Sequence, residues 1–174
     1  MRYFQIRSMD ISNGIGIGAS VFLSGCHFHC KNCHNQGLWD FNSGNEYTND
    51  AKNKILKTIQ PKWVERFSIL GGEPLETINL KELLALIENI KVLRPDIKIW
   101  IYTGYTYEQL QERIKKNKDD YYLEPILRLA DVLVDGPFIQ EKKDLTLAFK
   151  GSSNQRVIDL QKTHAANDIM LLDI

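Results

Sequence analysis

Three times over, a short apolar run ends in a glycine or a small polar turn, and a segment with apolar residues at helical spacing follows. Residues 67–70 run into Gly71-Gly72, and the stripe Leu80, Leu83, Leu84, Ile87 and Ile90 follows, with Pro95 just beyond. Residues 97–102 run into Thr103-Gly104 and then a helix to about residue 116; residues 131–135 run into Gly136-Pro137 after a brief helix over 123–129. Asn79 with Glu82, and Thr106 with Gln109, have the spacing of capping boxes. Strand and helix alternating through short links predicts βαβ units and an α/β fold with a parallel sheet. The units are too few to close an eight-fold barrel, so an open, partial βα barrel is expected. With 174 residues, no internal repeat and no linker, residues 1–174 read as one domain.

Ahead of these units come two further strands, over 3–6 and 15–23, separated by the turn-prone Ser12-Asn13-Gly14, and a helix over 49–60 that stops at Pro61. A last strand is expected over 156–160, and the final dozen residues are ambiguous. Between the second strand and that helix lies a long loop carrying Cys26-His27-Phe28-His29-Cys30-Lys31-Asn32-Cys33, read as C-x3-C-x2-C. All three cysteines of the chain fall in these eight residues, so one loop can bring three thiols to one metal centre. Thiolates hold iron–sulfur clusters, normally one per iron; a four-iron cluster on three thiolates keeps one iron open to a small molecule. Zinc is the rival, because His27, His29 or His34 can complete a Cys3His set. A structural zinc knuckle, however, usually stabilises a module short of core, and this chain has the residues for a full α/β core. Trp39 and Phe41 read as apolar cover for the loop.

Lysine plus arginine balance aspartate plus glutamate at 22 each, which points neither to a nucleic-acid surface nor to an anionic membrane patch. Residues 11–30 carry no formal charge, yet four glycines and several polar residues interrupt them, and Asp10 interrupts any signal-like start. An odd, clustered cysteine count with no signal segment predicts reduced thiols and a cytoplasmic protein.

Two other stretches carry chemistry. In Gly71-Gly72-Glu73-Pro74 the strand end offers carbonyl oxygens with no side chain in the way, and Glu73 adds negative charge; the group suits an ammonium ligand as well as it suits a plain tight turn. Lys150-Gly151-Ser152-Ser153-Asn154-Gln155-Arg156 reads either as a loop that clasps a polar ligand or partner segment, or as an ordinary polar turn. The strand ends and the cysteine loop all belong on one rim, since ligands of parallel α/β sheets sit at the carboxyl ends of strands.

C-x3-C-x2-C after a small-residue strand end, followed by G-G-E-P, resembles the radical S-adenosylmethionine enzymes. Asp10-Ile11-x-Asn13-Gly14, Ser24-Gly25-Cys26, Trp39 with Asn42-Ser43-Gly44, Asp135-Gly136-Pro137-Phe138 and the G-S-S-N-Q-R segment narrow the resemblance to activating enzymes of the anaerobic, glycyl-radical ribonucleotide reductase, over residues 3–160. The resemblance implies that Cys26, Cys30 and Cys33 hold a 4Fe–4S cluster whose open iron takes the amino and carboxylate groups of S-adenosylmethionine. It places Asn32 and His34 beside that cofactor and brings Gly71, Gly72 and Glu73 to its amino group. Asn32 and His34 stand where many members of the superfamily carry aromatic residues.

The implied reaction is oxidoreductive. One electron breaks the S–C5′ bond to give methionine and a 5′-deoxyadenosyl radical, which takes hydrogen from a backbone glycine of the reductase. Such a cluster lies near the low end of a span of roughly −700 to +450 mV, so the resemblance implies a low-potential donor such as flavodoxin. The alternatives that stay open are a zinc-binding interaction domain and an activase for a different glycyl-radical enzyme.

Overall fold

The computed structural model describes residues 1–174. One seven-stranded sheet runs through the chain, built from β1 (Arg2–Asp10), β2 (Gly18–Leu23), β3 (Asn45–Glu46), β4 (Arg66–Gly71), β5 (Lys98–Tyr102), β6 (Val132–Asp135) and β7 (Arg156–Asp159) in the spatial order β3-β1-β2-β4-β5-β6-β7. The helices are α1 (Asn49–Thr58), α2 (Thr77–Leu93), α3 (Tyr107–Lys116), α4 (Leu123–Leu129) and α5 (Leu160–Ala166). The expected α/β class is present, and β2, β4, β5 and β6 pair in parallel. The sheet is not parallel throughout. β1 is antiparallel to β2 and β3, and β7 is antiparallel to β6; no α-helix crosses over between β1 and β2 or between β6 and β7, as a parallel pairing would require.

Successive side chains of the central strands point to opposite faces, as a period of two requires, and both faces are buried. One face presents Ala19, Val21, Leu23, Phe67, Ile69, Ile99, Ile101, Leu133 and Ile158 to a cluster of 25 buried residues. All five helices contribute to that cluster, from Ile55 in α1 to Leu160 in α5, so every helix lies on the same side of the sheet. Each such buried aliphatic stabilises the fold by roughly 1.5–3 kcal/mol relative to exposure. The other face carries Phe22, Leu70, Trp100, Val132, Val134 and Val157, and no helix covers it. Leu38, Phe149 and Leu172 pack there from loops and the C-terminal tail.

Local signals place most boundaries, and the misses have physical causes. The Thr106–Gln109 capping box opens α3 as expected. The Asn79–Glu82 pair does not open α2, whose N-cap is Glu76. Asn79 is buried and donates instead to the carbonyls of Glu73 and Pro74 at 3.3 and 3.4 Å, while Glu82 pairs with the N-terminal amine. The strand expected from residue 15 starts only at Gly18, because Asp10 draws residues 11–17 into a bend. Its carboxylate accepts the N–H groups of Ser12 and Asn13, the Asn13 amide and the Ser20 hydroxyl. Arg66 adds a 3.1 Å ion pair with both side chains 1% exposed, and donates to Ser68 Oγ, which in turn donates to the carbonyl of Asn13. The network folds the bend over the helix-free face.

Burial alone would raise the pKa of Asp10, but the hydrogen bonds from Ser20, Asn13 and Arg66 outweigh it and bring it down to about 2. The stability this gives is complete above the ordinary value of 3.8 and is lost as pH falls toward about 2. Asp10→Ala, which leaves Arg66 buried and unpaired, is expected to cost about 3–5 kcal/mol in urea unfolding at pH 7.

Candidate metal centre

Because β2, β4, β5 and β6 are parallel neighbours, their carboxyl ends share one edge. The cysteine loop, Gly71-Gly72-Glu73, Thr103-Gly104 and Asp135-Gly136 therefore meet on one rim, as expected. The loop is docked at its base by backbone bonds. Gly25 N–H donates to Leu38 O at 2.8 Å, Cys26 N–H to Trp39 O at 3.0 Å, Gly72 N–H to Leu23 O at 2.8 Å and Glu73 N–H to Gly25 O at 2.7 Å. The approach is close enough that a Cβ on Gly72 would lie 2.3 Å from Gly25 O and 2.9 Å from Leu38 O. Glycine at this position is a steric requirement of the junction.

Within the loop, His29 and Asn32 adopt positive φ, and Cys33 N–H closes a turn onto Cys30 O at 3.0 Å. Cys26 is buried and Cys30 and Cys33 are half-buried. One backbone N–H reaches a sulfur: Asn35 donates to Cys33 Sγ at 3.3 Å. Burial pushes the Cys26 thiol up to about 11 and raises that of Cys30. Buried thiols that resist ionisation as free acids are deprotonated when a metal supplies the missing positive charge. A loop of three such thiols, one of them with an N–H donor, thus fits a thiolate-bound cluster.

Two of the three loop histidines are engaged elsewhere. His27 pairs with the Glu76 carboxylate through Nδ1 and lies 3.4 Å from Tyr105 Oη. His29 stacks on Trp39 with ring centroids 4.6 Å apart, and His34 is exposed. No three His, Cys, Asp or Glu side chains come close enough together to hold a single metal ion. Trp39 and the Phe41 ring, which lies against Gly25, cover the loop.

Glu73 is 1% exposed and faces inward. Its Oε1 accepts Leu75 N–H at 2.9 Å and the Thr103 hydroxyl at 2.8 Å, and its Oε2 accepts Gly104 N–H at 2.7 Å. Burial outweighs these donors and raises its pKa to about 7. The Gly71 carbonyl is taken by the Asn35 amide at 3.3 Å and the Glu73 carbonyl by Glu76 N–H and Asn79, whereas no hydrogen bond from the chain reaches Gly72 O. Asn32 is exposed beside Cys33, like His34. The G-S-S-N-Q-R segment clasps its own chain. Asn154 Nδ2 donates to Pro137 O at 2.8 Å, Gln155 Nε2 to Gly136 O at 2.9 Å, and Arg156 pairs with both Asp135 and Glu108. Sequence reasoning had no role for Asn35, which bonds Cys33 Sγ and Gly71 O, or for Glu76, which pairs with His27; neither contact leaves a signature in the spacing of these residues.

The family model described as a 4Fe-4S single cluster domain matches residues 12–158, a stretch that includes the three-thiol loop and the rim, and places the chain among single-cluster iron–sulfur proteins. A protein of Vibrio cholerae is 38% identical over 157 residues, covering 89% of this chain and 96% of its own length. One of Salmonella typhi is 36% identical over 163 residues, 92% of this chain and all of its own. A third, of Enterobacteria phage T4, is 28% identical over 157 residues, 90% and 93%. Each of the three is named an anaerobic ribonucleoside-triphosphate reductase-activating protein. The chain belongs to that family of activating enzymes.

Gly72→Ala is expected to lower the iron content of the reconstituted protein and to cost about 1–3 kcal/mol of stability, because the cysteine loop must back away from the strand end. A second expectation concerns pH. Native Glu73 keeps a proton that the unfolded chain releases between 4.5 and about 7, so stability falls as pH rises through that window and levels off above it. The fall is about 3 kcal/mol, and urea titrations of the metal-free protein should show it shrink in Glu73→Gln.

Proposed function

We propose that this protein activates an anaerobic ribonucleoside-triphosphate reductase by generating its glycyl radical with S-adenosylmethionine as co-reactant. The observation that carries the reading is the junction of the three-thiol loop with Gly72, whose carbonyl accepts no hydrogen bond from the chain. Cys26, Cys30 and Cys33 hold the cluster, and three thiolates for four irons keep one iron available to the cofactor. The Gly71-Gly72-Glu73 turn receives the cofactor's amino group at Gly72 O, while the buried Glu73 carboxylate holds the turn from behind through Thr103 and Gly104. Asn32 and His34 line the exposed flank. When bound, cluster and cofactor together supply the one-electron reductive chemistry; the chain's own part is to orient them and keep water and oxygen away.

The winding supports a radical-SAM type of open, partial barrel. Parallel strands whose helices all lie on one face are wound in one direction, as in βα barrels, whereas doubly wound sheets carry helices on both faces. One continuous sheet from Arg2 to Asp159 supports a single domain. No helix is long and apolar enough to cross a membrane, and the balanced charge supports neither a nucleic-acid nor a membrane partner. A reduced cytoplasmic setting and a low-potential donor such as flavodoxin follow from the chemistry.

Anaerobic reconstitution should give a brown protein with about four irons per chain, whose reduced EPR signal changes when S-adenosylmethionine is added. Replacing any one of Cys26, Cys30 and Cys33 by alanine should abolish radical formation on the reductase. The triple variant with His27, His29 and His34 changed to alanine should keep the cluster. A colourless, air-stable protein with one zinc would overturn the proposal.

A further inference from the structure

The two spacers of C-x3-C-x2-C are held differently. Lys31 and Asn32, between Cys30 and Cys33, are exposed, and Lys31 reaches the equally exposed Glu141 at 3.6 Å. His27, Phe28 and His29, between Cys26 and Cys30, each rest on a partner. The His29 ring stacks on Trp39. The Phe28 ring meets Tyr105 edge-on with centroids 4.8 Å apart, and it lies so close to Gly104 that a Cβ there would be 2.7 Å from it. His27 is held twice by a residue of another element: Glu76 Oε1 accepts its backbone N–H at 3.2 Å and its ring Nδ1–H. With Nδ1–H so engaged, a neutral ring leaves Nε2 as an acceptor for the Tyr105 hydroxyl, 3.4 Å away.

Glu76 is the N-cap of α2, yet its side chain makes no cap bond to that helix. Its carboxylate, 14% exposed, is given to the cysteine loop instead. We propose that Glu76 is a positioning residue that holds the Cys26 end of the loop ready for metal, so that cluster assembly begins at Cys26 on a preformed corner. The bond to His27 N–H fixes the backbone one residue past the buried ligand. Order present before the metal arrives is order that binding does not have to impose. The Cys30–Cys33 half, whose spacer is exposed, closes onto the metal afterwards.

The inference deepens the proposed function and rests on it for the cluster, but its first test needs no metal. In the metal-free full chain, iodoacetamide reaches the buried Cys26 only when the loop opens, so the alkylation rate, read by mass spectrometry, reports the hold on that corner. Glu76→Ala should raise the rate at Cys26 about tenfold, the least that a hydrogen bond to a charged acceptor is worth, and leave Cys33 at its wild-type rate. Glu76→Gln, which keeps the Oε1 acceptor, should stay near wild type. Because the Glu76 side chain does not cap α2, neither variant uncaps the helix. On anaerobic addition of iron and sulfide, Glu76→Ala should reach the wild-type iron content about tenfold more slowly, since the three thiolates hold the cluster once it has formed. An unchanged rate at Cys26 in Glu76→Ala, or an equal rise at Cys26 and Cys33, would overturn the role of Glu76 and leave the proposed function standing. A wild type that takes up no iron would overturn the proposed function and, with it, the order of assembly.

Discussion

The 2.7 Å hydrogen bond from Glu73 N–H to Gly25 O is the contact on which the rim depends. It extends the β2–β4 pairing past the last strand residues, and it is reached only because Gly72 has no Cβ to strike the same carbonyl. From there, order passes sideways along the rim. The Glu73 carboxylate ties β4 to Thr103 and Gly104 after β5. Thr103 N–H reaches Val134 O, and Gly136 N–H reaches Tyr105 O, which brings β6 and its turn into line. Four strand ends and a loop that would be mobile alone are thus set by a short relay of backbone and buried carboxylate bonds.

Elements with a strong period were legible in advance. The alternation in β4, β5 and β6 and the stripe of α2 lie in the central parallel sheet and its covering helix, and the cysteine spacing marked the one loop able to bind a cluster. The failures share a cause: a polar side chain whose partner lies outside the element that its own spacing suggests. Asn79 has the look of a helix cap, yet it is drawn beneath the G-G-E-P turn. Residues 15–17 have strand character, yet Asp10 and Arg66, 56 positions apart, hold residues 11–17 as a bend. The antiparallel edges were hidden for a related reason. A strand's pairing partner is not written in its own residues: the short apolar centre of β7 looks like that of the parallel strand β6, and the more exposed β1 does not name its neighbours.

The two faces of the sheet solve different problems. The helix face is sealed by aliphatic packing that needs no directional partners. The other face, left without helices, is closed partly by Trp100, Phe149 and Leu172 and partly by the Asp10–Arg66–Ser68–Asn13 network. A buried ion pair is a weak stabiliser relative to apolar packing, but it fixes direction. Here it turns the 11–17 segment across an open face that would otherwise expose β2 and β4.

The sulfurs sit under two opposing influences. Burial, greatest at Cys26, raises the cost of negative charge on a thiolate and so of adding an electron to whatever the thiolates hold. The N–H of Asn35, which donates to Cys33 Sγ, works the other way, spreading that charge into the backbone. A cluster that must be strongly reducing yet still reducible needs both, because burial alone drives the potential beyond a donor's reach and donation alone makes the reduced state too comfortable to part with its electron. The Asn35 side chain also holds Gly71 O at 3.3 Å, so the residue that supplies the donor at Cys33 is itself tied to the strand end on which the cysteine loop rests.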